Sequence, residues 1–146
     1  MIDSILVVCE GNICRSPMAQ ALLTKQLPGV SVMSAGWAAV VGRGADPIAV
    51  ELMAEREIDI RGHVAVDLNL LHMRSADLVL SMTQEQRKRI ETNYPFAKGK
   101  VYRLGDHEGT DVLDPYRKGR AAFETALAQI ERGVARWLDA MVRLTH

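Results

Sequence analysis

Ile5-Leu6-Val7-Val8-Cys9-Glu10-Gly11-Asn12-Ile13-Cys14-Arg15-Ser16-Pro17 is the stretch that decides how this chain folds. Its first five residues are an unbroken apolar run rich in β-branched side chains, as expected for a strand buried on both faces of a parallel sheet. Gly11-Asn12 ends the strand. Pro17 suits the first turn of a following helix, where a missing N–H breaks no helical bond. Met18, Ala21, Leu22 and Leu23 then recur with helical spacing, and Pro28-Gly29 closes the helix.

The strand-to-helix step repeats down the chain. Residues 30–35 read as a second strand, and Asp46-Pro47 followed by Ile48, Leu52 and Met53 as a capped second helix. Residues 78–82 form a third strand leading into Thr83-Gln84-Glu85-Gln86, where Thr83 and Gln86 have the spacing of a capping box. A fourth strand is expected over residues 100–104. A long last helix then carries Phe123, Leu127, Ile130, Val134, Trp137, Leu138 and Met141 on one stripe. This alternation predicts an α/β fold, a single open parallel sheet with helices on both faces. Ligands in such folds bind at the carboxyl ends of strands, and Cys9 lies at such an end. The loop over residues 36–45 carries no decisive pattern.

The 146 residues suit one domain, read as 1–146. Apolar residues at 48% and charged residues at 25% are the mix of a globular protein. Lys plus Arg and Asp plus Glu both number 18, so no global field favours nucleic acid or an anionic membrane, and any anion site must be local. The apolar run at residues 5–9 is too short for a signal-peptide core, and nothing later is long enough for membrane insertion. A cytoplasmic protein is expected. Its two cysteines share one loop, which points to reduced thiols and not to a disulfide scaffold.

The loop itself predicts chemistry. A strand, a short loop and a helix N-terminus bring backbone N–H groups and the positive end of a helix dipole to one point, which attracts an anion. The loop Glu10, Gly11, Asn12, Ile13, Cys14, Arg15 and Ser16 is long enough to curl around a tetrahedral oxyanion. Gly11 and Asn12 tolerate the positive φ such a nest requires. Arg15 supplies a planar, permanently charged fork that can hold two phosphate oxygens as charge redistributes in a transition state. The same field stabilises the ionised thiol of Cys9, a nucleophile, and Ser16 can donate a hydrogen bond to it. Cys14 has two open readings, loop packing or a reversible disulfide with Cys9.

With these residues in register the sequence resembles the low-molecular-weight protein tyrosine phosphatases. The resemblance rests on residues 7–19, on Asp114-Pro115-Tyr116 and on Ser34-Ala35-Gly36 after the second strand. It implies a four-stranded parallel sheet, hydrolysis of protein phosphotyrosine through a phosphocysteine, inorganic phosphate as product and inhibitor, and no metal or organic cofactor. By resemblance Asp114 protonates the leaving oxygen and later takes a proton from water, and Pro115 stiffens its loop. Tyr116 is implied as a wall for the substrate ring. Asn12 and Ser34 match the family's supporting hydrogen-bond pair, with His63 joining them, although the arginine of the family's His-x-Ala-Arg segment is Val66 here. His72, His107 and His146 receive no role. In eukaryotic members the loop after the second strand carries a substrate-selecting aromatic, and Val40 or Val41 takes that place here; Trp37 has two open readings, an exposed ring edging the pocket or a packing role. These departures bring the chain nearer the bacterial branch associated with capsule and exopolysaccharide synthesis, whose implied partner is a tyrosine autokinase with a tyrosine-rich tail.

Two rival readings share the oxyanion loop. An arsenate reductase passes electrons through two further cysteines, and this chain has none after Cys14. A phosphocysteine carrier of sugar-transport systems would not place Arg15 and Asp114 to promote hydrolysis of its own phosphoryl group.

Overall fold

The computed structural model describes residues 1–145; His146 lies outside the described residues. Four strands, β1 (Ser4–Cys9), β2 (Ser31–Gly36), β3 (Leu78–Ser81) and β4 (Val101–Arg103), form one sheet in the order β2-β1-β3-β4. Every pairing is parallel, with Val7 opposite both Ser34 and Leu80. The helices are α1 (Arg15–Gln26), α2 (Pro47–Ala54), α3 (Leu70–Ser75), α4 (Gln84–Asn93) and α5 (Arg120–Thr145), with short 3₁₀ turns at Pro95–Ala97 and Asp106–Glu108.

The apolar run of β1 divides between two cores, as the two-residue period of a strand requires. Ile5, Val7 and Cys9 belong to the core on one face, with Met18 and Leu23 of α1, Leu52 and Met53 of α2, and Phe123, Leu127 and Ile130 of α5. Leu6 and Val8 belong to the other, with Met73 of α3 and Ile90 of α4. All five are buried, and each side chain removed from water contributes on the order of 1.5–3 kcal/mol. Helices therefore cover both faces. The chain leaves β1 for a neighbour on one side and returns to β3 on the other, so the switch in strand order falls at the carboxyl end of β1, beside Cys9.

Local signals set the helix starts. The Asp46 carboxylate accepts from Ile48 N at the start of α2, and Thr83 with Gln86 forms the reciprocal box expected for α4. A second reciprocal box, Asn69 with His72, starts α3. Helix α1 differs, since no side chain caps it and its first turn has no acidic residue, which leaves its positive end to the loop before it.

The undecided loop after β2 is tied to the loop after β1. Trp37, Ala38 and Val40 donate their N–H groups to the carbonyls of Cys9, Glu10 and Gly11. Gly36 permits this approach, since a β-carbon there would stand 2.7 Å from the Glu10 carbonyl oxygen.

Candidate active site

Cys9 ends β1 buried, with its sulfur 2.8 Å from the Ser16 hydroxyl oxygen. That oxygen already accepts a hydrogen bond from Asn12 Nδ2 at 2.8 Å, so the Ser16 proton is left to point at sulfur. Asn12 sits at φ 57°, the left-handed region a side chain enters at a cost of roughly 1 kcal/mol, and is fully buried. It is held there from four directions. Its Nδ2 also donates to Ser34 Oγ at 3.0 Å, and its Oδ1 accepts from Val66 N at 2.9 Å. Its carbonyl lies 2.6 Å from His63 Nε2, which carries the proton because a carbonyl oxygen only accepts. Ser34 in turn donates to Gln20 Oε1 at 2.6 Å. The contact at position 66 is made by the backbone, so valine in place of arginine leaves it intact.

Arg15 opens α1 and is 3% exposed, with Nη1 donating to the Val112 carbonyl at 3.0 Å. Its Nη2 lies 3.8 Å from Asp114 Oδ2, on a carboxylate whose side chain is half exposed. A buried guanidinium with free donors holds an anion strongly, since it has already shed most of its water. Asp114 Oδ1 accepts from Tyr116 N at 3.1 Å, an Asx turn that fixes the carboxylate over buried Pro115. Cys9, Glu10, Gly11, Ile13, Cys14, Arg15, Ala38, Val40, Asp114 and Tyr116 line one cleft of about 210 Å³. Its floor is thiol and guanidinium, while Ile13, Ala38, Val40 and Tyr116 make its walls apolar.

Two nearby carboxylates are committed elsewhere. Asp111 accepts from Gln84 N and from Arg103 Nη1, and Asp106 faces Arg87 and Arg103. Burial first, then the charge of Asp46, pushes the Cys14 thiol up to about 12, so it stays protonated at neutral pH while lining the same cleft. Both cysteines are free thiols. Glu10 places a negative charge in the loop, and Arg89 Nη1 at 3.2 Å and Gln86 Nε2 at 3.4 Å hold its carboxylate from α4.

Of the two readings of Trp37, the structure shows packing. The side chain is absent from the cleft walls and packs instead against the core between Val8 and Ile90, with the Arg89 guanidinium 5.1 Å from its ring centroid. Val40, Tyr116, Ser34 and the residues of the first loop come together as the sequence suggested. Gln20, Arg89 and Gln129, which donates no charge but accepts from Leu113 N, carried no sequence signal. Among the described residues no group of three or more His, Cys, Asp or Glu side chains is arranged to hold a metal, and no helix is long and apolar enough to cross a membrane.

Residues 4–145 match the family model described as low molecular weight phosphotyrosine protein phosphatase. The chain belongs to this family. A relative from Ralstonia solanacearum, "Probable low molecular weight protein-tyrosine-phosphatase EpsP", is 55% identical over 138 residues, covering 94% of this chain and 95% of that protein. Vibrio vulnificus Wzb in complex with benzylphosphonate superposes with a TM-score of 0.92 at 34% identity, over 96% of this chain and 99% of that one. The arginine phosphatase YwlE of Geobacillus stearothermophilus superposes with a TM-score of 0.90 at 36% identity, over 98% and 96%. The chain is thus a protein-tyrosine phosphatase by family, on a fold that also serves phosphoarginine.

Proposed function

We propose that this phosphatase, acting as one domain over residues 1–146, hydrolyses phosphotyrosine by a two-step transfer through Cys9. The observation that carries the proposal is the cleft in which the Cys9 sulfur, the Arg15 guanidinium and the Asp114 carboxylate meet. In the first step the Cys9 thiolate attacks phosphorus, the S–P bond forms and the aryl P–O bond breaks. Asp114 gives its proton to the departing tyrosyl oxygen. Arg15 and the N-terminus of α1 hold the phosphoryl oxygens, whose charge shifts as the bonds exchange. In the second step water attacks phosphorus, gives its proton to Asp114, and the S–P bond breaks to return the thiolate beside Ser16. Inorganic phosphate then leaves the loop that held it, and competes with substrate for it.

The physiological substrate is a bacterial tyrosine autokinase of an exopolysaccharide or capsule system, and the reaction is cytoplasmic, where a reactive thiol stays reduced. The support is the 55% identity to EpsP and the place of Val40 at the cleft mouth where eukaryotic relatives carry an aromatic. An open, apolar rim suits a flexible tail presenting many tyrosines.

The apolar walls also favour an aryl ring over a phosphorylated guanidinium, which would turn N–H groups toward Ile13, Ala38 and Val40 and leave the Asp114 and Glu10 carboxylates as its acceptors in the cleft. A matched pair of peptides bearing phosphotyrosine or phosphoarginine tests this. The expected kcat/KM ratio is at least about tenfold for phosphotyrosine, the scale on which a pocket rejects an unpaired polar group. Equal or reversed preference contradicts the substrate reading.

A further inference from the structure

Asp114 stands on a loop of the chain that returns to the body of the protein only at α5. Upstream the backbone is well tied, with Val112 N donating to the Met82 carbonyl at 2.9 Å and the Val112 carbonyl accepting from Arg15 at 3.0 Å. Downstream, Arg117 at φ 60° and Gly119 at φ 87° turn the chain into α5, and the backbone bonds there, Lys118 N to the Pro115 carbonyl and Phe123 N to the Gly119 carbonyl, are local. Between these lies the residue next to Asp114, Leu113, whose own side chain is exposed. Its N–H points into α5 and meets Gln129 Oε1 at 2.7 Å, across 16 residues of sequence.

Gln129 sits between the buried Leu127 and Ile130 on α5, which packs into one core. The bond therefore joins the Val112–Leu113 peptide, one residue before Asp114, to α5, while the carbonyl of the same peptide is held by Arg15. A neutral amide oxygen suits the position, since it accepts from an N–H without adding charge beside a carboxylate that must gain and lose a proton.

We infer that Gln129 is a positioning residue of the phosphatase, setting the reach of Asp114 to the leaving oxygen through the Leu113 N–H; this rests on Asp114 being the acid. Loss of the bond leaves this peptide held at its Val112 carbonyl alone, free to rotate about that contact, while Cys9, Arg15 and the first loop keep theirs. A displacement of the acid costs rate only where the acid is needed, so the effect depends on the leaving group.

Gln129→Leu removes the acceptor at nearly constant volume, and Gln129→Glu keeps an oxygen in its place. For each, kcat/KM is measured with phenyl phosphate, whose phenolate leaves poorly, and with 2,4-dinitrophenyl phosphate, which needs no proton. Asp114→Asn is run beside them as the reference for complete loss of the acid. Gln129→Leu is expected to lower kcat/KM for phenyl phosphate by about tenfold and to leave the dinitrophenyl ester within about twofold, with Gln129→Glu, which keeps the acceptor but adds a charge, falling less than Gln129→Leu on the phenyl ester. An equal fall on both esters means a general structural role and overturns the inference, as does an unchanged phenyl ester. If Asp114→Asn itself spares the phenyl ester, the acid assignment falls, and the inference with it. If Asp114→Asn selects against that ester and Gln129→Leu does not, only the inference about Gln129 falls.

Discussion

Asp114→Asn is expected to slow the release of an unactivated phenolate by about 10² to 10⁴, the usual worth of a placed general acid. Asparagine is close in shape to aspartate and keeps an oxygen for the Tyr116 N–H, so the Asx turn over Pro115 survives the exchange. The substitution also removes the negative charge 3.8 Å from Arg15, which leaves that guanidinium free for the substrate anion. Binding should therefore hold or tighten while chemistry slows, and the fall should appear in kcat rather than as a rise in KM. An activated ester should lose far less. Full activity on phenyl phosphate would place the acid elsewhere, and neither Asp111 nor Asp106 is ready to take over, since each is engaged by an arginine.

Cys9→Ser should remove turnover altogether, by about 10⁶, the scale on which loss of a catalytic nucleophile acts. A hydroxyl in the same field remains un-ionised near neutral pH, so it cannot attack phosphorus as a thiolate does. The loop should persist, because its shape is set by Asn12, Ser34, His63 and Val66 and not by the thiol. The variant is thus expected to bind phosphotyrosine ligands with wild-type affinity, measured by calorimetry, and to retain a phosphorylated kinase tail without releasing phosphate. Turnover by Cys9→Ser near the wild-type rate would end the covalent reading.

Much of this was legible before any coordinates because the decisive signals are local. The apolar run of β1 is a strand whatever surrounds it, the Thr83 and Gln86 box starts α4 where its spacing says, and the stripe from Phe123 to Met141 is one helix face. The first loop is local too, and its residues from Cys9 to Ser16 meet in the order in which they are written. What stayed hidden depends on distant partners. The box that starts α3 uses His72 in place of the usual Glu or Gln, so six residues of helix went unread. Sequence leaves Trp37 open between recognition and packing until α4 folds back, when Arg89 stands over its ring and Val8 and Ile90 pack beside it. The substitution at Val66 looks like a lost contact in sequence, yet the bond to Asn12 comes from a backbone N–H that any residue but proline supplies. Gln129 is an ordinary glutamine of a long helix until Leu113 is seen against it.

The central claim is that the phosphoryl group passes through the sulfur of Cys9. Stopping the wild-type enzyme with denaturant during the first turnover of an aryl phosphate, and mapping the phosphoryl group by mass spectrometry, tests it most directly. The expected result is a burst of aryl alcohol equal to the enzyme present, with one phosphoryl group on the peptide that carries Cys9. Aryl alcohol and phosphate released in step, with no phosphoryl group on the protein or with one on any other residue, would contradict it.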